Sequence, residues 1–480
     1  MPPLSLVRSF VRHLRRVRLG PSCWDIPSIK DMLDDGVNVA CVNMAEAPNG
    51  FEDFEGCCER LRDVLKEKAE YNCAIMVETK GPTLHLGKVQ NDRVELLQGQ
   101  MLELTTDELV LGTNEIVSCD YPQLADNVKE GGKIIINMGQ IEMKVTQKYS
   151  KSVQVKVMNS GIMRSNMRMH LPGCIVDRPT LTAKDIDDIE NFAVPQNVDL
   201  VSCSFVRTAD DIQNVRKYLG DECRHIKVIA KIENRQAVDN FDTILDEADG
   251  IIISRTTLGL EIPQSHLFLA QKMMIKKATI SGTPLWVEVF MTDSTVTPPR
   301  AEIADIANAV IEGADCILLT NEIEDPFYRS KTIQHICSTA KSAEGVLDPE
   351  FAFRAIRDGY LEKHGKMSIQ ESLSSSAVKC ALELPAAAII VVTDDYQYAR
   401  QVAKYRPQCP IIAVTANDWA HRQINGSLRG CTATLVESLE GSEAIVLEGV
   451  EFGKRKKWIN EGDPIVCLRN DSMSMEIFRG

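Results

Sequence analysis

The stretch Ile226-Lys-Val-Ile-Ala-Lys-Ile-Glu-Asn234 decides how this chain folds, and Gly250-Ile-Ile-Ile-Ser-Arg-Thr-Thr-Leu-Gly259 extends the reading. Each begins as an apolar, β-branched run of strand length. The first run ends in Lys231 and Glu233, two residues apart and therefore on one face of a strand. The second ends in a short polar turn, Ser254 to Thr257, ahead of a helix. A lysine and a carboxylate at neighbouring strand ends suit a phosphate and the metal that bridges it. Mg²⁺ takes one or two protein carboxylates plus substrate oxygens, yet the second turn offers only Thr256 and Thr257. The chain thus carries half of a phosphoryl-transfer site. A buried structural ion pair is the competing reading of Lys231 and Glu233, and it requires hydrogen bonds to both charges.

Working outward, apolar runs and helix-period stretches alternate. Strands are predicted at Arg16–Leu19, Asn38–Asn43, Cys73–Glu78, Asp199–Ser204, Ile226–Glu233, Gly250–Ser254, Pro284–Val289 and Ala314–Leu319. Helical patterns follow at 26–35, 51–68, 184–193, 208–219, 235–247, 262–281, 299–312 and 326–343. Eight such pairs predict an α/β fold, a (β/α)₈ barrel over 16–87 and 178–345. About 100 residues separate the third strand from its helix, too many for a loop. They are rich in Val, Ile, Thr and Gly, and predict an inserted small β domain over 88–177. From 346 to 480 the alternation restarts as a C-terminal α/β domain, with strands predicted at Ala386–Thr393, Pro410–Thr415, Ala433–Glu437 and Pro464–Arg469.

A net charge of −14 argues against broad nucleic-acid binding, and no apolar run approaches membrane-helix length. The 15 cysteines are scattered, many within apolar strands, which fits reduced thiols in a cytoplasmic setting rather than a disulfide framework. The first 24 residues hold no acid and five arginines (Arg8, Arg12, Arg15, Arg16, Arg18). Residues 1–15 read either as a basic N-terminal arm or as a mitochondrial presequence.

Barrel enzymes place their chemistry at the C-terminal ends of the strands. Those ends are Asn43, Glu78-Thr79-Lys80, Ser204-Phe205, Lys231 and Glu233, Ser254 to Thr257, Glu288 and Thr320. Several of them sit in stretches that resemble pyruvate kinase: Gly36-Val-Asn-Val-Ala40, Glu78-Thr-Lys-Gly-Pro82, Leu171-Pro-Gly173, Ile226 to Asn234 and Leu258-Gly-Leu-Glu-Ile-Pro263. The likeness continues through Arg300-Ala-Glu302, Gly313-Ala-Asp-Cys-Ile317 and Tyr405 to Thr415, in register from about residue 15 to the end.

The resemblance implies a barrel, a β lid and a C-terminal regulatory domain, and transfer of a phosphoryl group between phosphoenolpyruvate and ADP. It implies Lys231 as the catalytic group that stabilises the phosphoryl and the enolate, and Glu233 as an Mg²⁺ ligand. Asn43, Glu78 and Thr79 are implied as K⁺ ligands. Asn43, Lys80, Ser204, Lys231 and Arg255 are implied as substrate or nucleotide contacts. It further implies phosphoenolpyruvate or pyruvate and ADP or ATP as partners, and a homo- or hetero-tetramer.

Departures from the family pattern concentrate in that site. Cys41 stands where the pattern has arginine. Ala45 and Glu46 replace serine and histidine, and His85 replaces another arginine. Met167 replaces a lid lysine, with Arg168 adjacent. Thr256 and Thr257 replace Gly-Asp, which removes a metal carboxylate, and Val289 replaces a threonine. Losing arginine deletes a fixed cation with bidentate grip, and phosphoryl transfer relies on positioning and positive charge. Glu288 brings a carboxylate to the substrate position, where it either repels phosphoenolpyruvate or stands in for the lost ligand. The reading is a family member with little or no catalysis, acting as a binding or regulatory paralogue. The alternatives are an active kinase whose metal is held by Glu78, Glu288 or Asp293, and a nucleotide sensor using Lys80 and Asn43. The turn Asp394-Asp395-Tyr396 makes a poor anion nest, so no sugar-bisphosphate activator is expected.

Overall fold

The computed structural model describes residues 14–18, 21–46, 51–68, 71–292, 297–319, 323, 325–439, 442–470 and 472–480. Most of the basic arm, Asp293 and Thr320 lie outside them. Eight parallel strands close into a barrel: β1 (Leu14–Arg18), β2 (Val39–Asn43), β3 (Ala74–Glu78), β4 (Leu200–Cys203), β5 (Lys227–Ile232), β6 (Gly250–Ile253), β7 (Leu285–Val289) and β8 (Cys316–Leu319). Each pairs with its neighbours in chain order, and β8 pairs with β1.

Strand alternation divides the side chains between two cores. Val39, Met76, Leu200, Ile229, Ile252, Trp286 and Leu318 pack together inside the barrel. Ala40, Val42, Val77, Ile251, Val287 and Val289 face outward against the helices. Continuing the inward parity two residues toward the C-terminal ends leads from Met76 to Glu78, from Ile229 to Lys231 and Glu233, and from Trp286 to Glu288. The apolar plug is thereby capped by charge.

Two predicted helices are broken. The 235–247 stretch is two helices, Arg235–Asp239 and Phe241–Glu247, parted at Asn240. Asn240 Nδ2 donates to Arg207 O at 2.9 Å, a tertiary bond that no local pattern shows. The polar turn after β6 is itself helical: Arg255–Glu261 forms a helix before Ile262-Pro263, and a second runs over Gln264–Ser281. Proline cannot continue a helix at that point, because it has no N–H to donate.

The inserted lid is a seven-stranded sheet in the order Leu84–His85, Arg168–His170, Lys133–Ile136, Ile141–Lys148, Ser152–Val157, Met101–Thr105, Ile116–Ser118. It has its own apolar core, and its first strand begins before residue 88. The C-terminal sheet runs Cys431–Leu435, Ile411–Thr415, Ala388–Val392, Pro464–Arg469, Ser474–Arg479. The last strand is antiparallel and was missed by pattern, because it is a half-exposed edge with mixed polarity. Arg422 of this domain pairs with buried Asp199 of the barrel at 2.7 Å.

Candidate functional site

A cleft of about 1080 Å³ lies between the C-terminal strand ends and the lid. The end of β2 contributes Asn43, whose Oδ1 accepts from Ala45 N at 3.2 Å in a short turn. The end of β3 contributes Glu78, Thr79 and Lys80. Thr79 is locked to Ser204: Ser204 N donates to Thr79 Oγ1 at 3.0 Å, and Ser204 Oγ donates to Thr79 O at 2.7 Å. Beneath them Gly81 holds φ +69, and a Cβ there would lie 3.1 Å from both Phe205 and Ser204.

At the floor of the cleft Lys231 is surrounded by three glutamates. Its Nζ lies 3.2 Å from Glu78, 3.3 Å from Glu233 and 3.1 Å from Glu288. All four side chains are buried. Nζ donates to Glu78 Oε1. The Oε1 atoms of Glu233 and Glu288 meet the ammonium as ion pairs, and among the described residues neither accepts a hydrogen bond of good geometry. Burial pushes the Glu233 carboxyl above its ordinary range. Lys231 opposes that rise, and Glu288 and Glu78 add to it. Arg168, at the cleft wall, also opposes the rise.

The other expected residues scatter. Lys80, His85, Ala45, Thr256 and Thr257 line the cleft. Thr257 is buried and accepts from Ser254 Oγ at 3.5 Å. Cys41, in register with Met76, is fully buried below the glutamate layer. His85 is tied to the lid, with Nδ1 3.4 Å from Asp120 Oδ2 and its backbone N–H donating to Asp120 Oδ1. Asp120 and Glu108 are cleft residues that no motif announced. Only the lid's tertiary fold brings them there.

Besides Cys41, four expected positions, Glu46, Met167, Arg255 and Val289, are not in the cleft lining. Arg255 is not in its lining: its guanidinium grips Asp305 with two bonds of 2.8 and 2.7 Å, and Nε donates to Glu288 O. Val289 packs in the outer core against the helices, because its parity is opposite to that of Glu288. Met167 packs against the lid core, while Arg168 reaches the cleft. Glu46 ends a single 3₁₀ turn after Asn43.

This arrangement does not fit a two-carboxylate Mg²⁺ site. Thr257 offers Glu233 no second carboxylate, and the point on which the three glutamates converge is filled by the Lys231 ammonium. Among the described residues no group of three or more His, Cys, Asp or Glu is disposed to hold a metal ion.

The family described as "Pyruvate kinase, barrel domain" matches residues 16–333, and "Pyruvate kinase, alpha/beta domain" matches residues 371–477. The chain is 35% identical to a pyruvate kinase of Eimeria tenella over 94% of this chain and 84% of that protein. It is 36% identical to a pyruvate kinase of Dictyostelium discoideum over 96% and 91%. A solved pyruvate kinase from Cryptosporidium parvum superposes with a TM-score of 0.91 at 31% identity, covering 98% of this chain and 96% of that one. The barrel and the C-terminal sheet agree with these matches, and the chain belongs to the pyruvate kinase family.

Proposed function

We propose that this family member transfers phosphoryl groups between phosphoenolpyruvate and ADP very slowly or not at all, and acts by binding a partner. The observation that carries this reading is the closure of the Lys231 ammonium inside three buried carboxylates. A transferring phosphoryl group is stabilised by preorganised positive charge. Here the lysine's charge is already spent on Glu78, Glu233 and Glu288. The absence of arginine at Cys41 and His85, and of a carboxylate at Thr257, acts in the same direction. Losing a single charge-stabilising group of this kind can cost about 10³-fold or more in rate.

The scaffold around the site is intact, with apolar strands and a filled barrel core. That supports retention for assembly, as a subunit of a homo- or hetero-tetramer with a catalytically competent relative. Asp394 and Asp395 are engaged locally: Asp395 caps the following helix by accepting from Gln397 N, and Asp394 accepts from Thr415 Oγ1 and Ala416 N at the end of the neighbouring strand. This supports the absence of sugar-bisphosphate activation. A cytoplasmic setting is the reading that the scattered, mostly buried cysteines support, and none of the helices among the described residues is long and apolar enough to cross a membrane.

A coupled assay with phosphoenolpyruvate, ADP, Mg²⁺ and K⁺ tests the reading. Turnover far below the usual enzyme range of roughly 1–10³ s⁻¹ is expected. Turnover within that range would establish the alternative, an active kinase with rearranged metal ligation. Co-purification with an active family member tests the partner role.

A further inference from the structure

A second cavity, of about 230 Å³, lies where the lid's return segment meets the barrel. Leu84, Leu171, Cys174 and Val176 make most of its lining apolar. Three arginines complete it: Arg168 from the lid strand Arg168–His170, Arg207 from the loop after β4, and Arg235 from the helix after β5. There is space for one ring, since a dry apolar cavity of about 150 Å³ already takes benzene. A nucleotide is too large, because the volume falls below the roughly 300–1,000 Å³ of drug-sized sites.

The arginines differ in what compensates them. At the mouth Arg235 is matched by Asp239, with Nε donating to both carboxylate oxygens at 3.0 Å. Arg207 pins the return segment through neutral acceptors only. Its Nη1 donates to Val176 O at 2.7 Å, and its Nη2 to Arg178 O at 2.6 Å and Thr180 Oγ1 at 2.9 Å. Arg168 forms no ion pair among the described residues. Both side chains are half-buried rather than sealed. Two guanidinia thus border an apolar space without a carboxylate to match them, which favours an anion beside them. The other acid in the lining is Glu261. It accepts the backbone N–H of Gly173, and burial pushes its carboxyl up to about 7, so it is neutral in mildly acidic solution.

We propose that this cavity binds a small organic anion, a carboxylate carried on one apolar ring, of the benzoate class. The ring lies on Leu171, Cys174 and Val176, and the carboxylate on Arg168 and Arg207. A neutral ring of the same shape leaves both guanidinia unmatched, and an inorganic anion leaves the apolar walls uncovered. Arg168 belongs to the lid and Arg207 to the barrel, so one carboxylate held by both ties the two together at the hinge. The site stands whether or not the cleft is catalytic.

The probe is 4-fluorobenzoate, followed by ¹⁹F NMR of the ligand on the full chain at pH 6. Saturable broadening is expected with the wild type. 4-Fluorobenzyl alcohol, which keeps the ring and drops the charge, should bind about tenfold more weakly, and Arg168→Gln should weaken the benzoate by a similar factor. Cys174→Phe, which fills the cavity, should abolish binding. Lys88→Gln, which alters the cleft alone, should leave it unchanged. Wild-type crystals soaked with 4-bromobenzoate should show the ring against Leu171 and Cys174, and the carboxylate within hydrogen-bond distance of Arg168 and Arg207. That measurement decides the question if Cys174→Phe does not fold. The proposal is overturned by no saturable binding to the wild type, by binding that persists in Cys174→Phe or falls in Lys88→Gln, by equal affinity for the alcohol or for Arg168→Gln, or by a soaked ring that lies in the cleft.

Discussion

Glu288 Oε1 lies 3.1 Å from Lys231 Nζ, nearer than Glu78 or Glu233. The two residues come from strands that are not neighbours: β6 runs between them, and they meet only because both point into the barrel. Glu288 therefore acts on the lysine directly, as a third counter-charge, rather than as a remote charge at the cleft mouth. Its effect on any anionic substrate is set at the floor of the site.

The cluster's stability should depend on the Lys231 ammonium. Lys231→Met removes the ammonium that lies within 3.3 Å of three buried carboxylates and should destabilise the fold by about 3–5 kcal/mol. Glu288→Gln removes one of the mutually repelling charges and should stabilise it by about 1 kcal/mol. Denaturant melts of both variants give the comparison. Equal stabilities would mean that the carboxyls are already protonated.

Glu233 should impose a pH dependence of definite sign. Its folded-state carboxyl is raised above the ordinary value of 4.5, so the folded state holds that proton more tightly than the unfolded chain. The resulting penalty is absent below the unfolded value and grows as pH rises through the folded one. Glu233→Gln should accordingly gain more stability at pH 8 than at pH 5. A uniform gain across pH would contradict the assigned shift.

Restoring charge should restore chemistry. Because Val289 faces the helices and Glu288 faces the lysine, the informative combination is Cys41→Arg, Thr257→Asp and Glu288→Ala. Together they should raise turnover by about 10²-fold or more, since single charge-stabilising donors already account for 10²–10³-fold. Steady-state assays against the parent chain check this, and an unchanged rate would place the defect elsewhere.

Gly81 holds the Thr79–Ser204 lock at a positive φ with no room for a side chain. Gly81→Ala should cost about 1–3 kcal/mol through backbone strain and contact with Phe205 and Ser204. A thermal melt within a degree of wild type would show that the turn relaxes freely.

Arg422 neutralises Asp199 across the junction of barrel and C-terminal domain, where Asp199 Oδ2 also accepts from Ile75 N at 2.8 Å. Arg422→Ala strands a buried carboxylate and should cost about 3–5 kcal/mol. Burial already holds the Asp199 carboxyl above its usual range, so the loss should be greater at neutral pH than near pH 4. Urea denaturation at the two values tests the sign.

Strand and helix order, the inserted lid and the C-terminal domain were legible in the chain, because alternating apolar periodicity is a local property that each segment carries alone. Lys231 and Glu233 were legible as neighbours too, two apart in the chain at the end of β5. The breaks at Asn240 and Ile262-Pro263, the edge strand Ser474–Arg479, and Arg255's turn toward Asp305 were decided by tertiary contacts. So was the joining of Glu78, Glu233 and Glu288 around one ammonium. Those acids lie on three strands up to 210 residues apart in the chain, and only closure of the barrel, with the inward parity it imposes, brings like charges into contact that no single segment would hold.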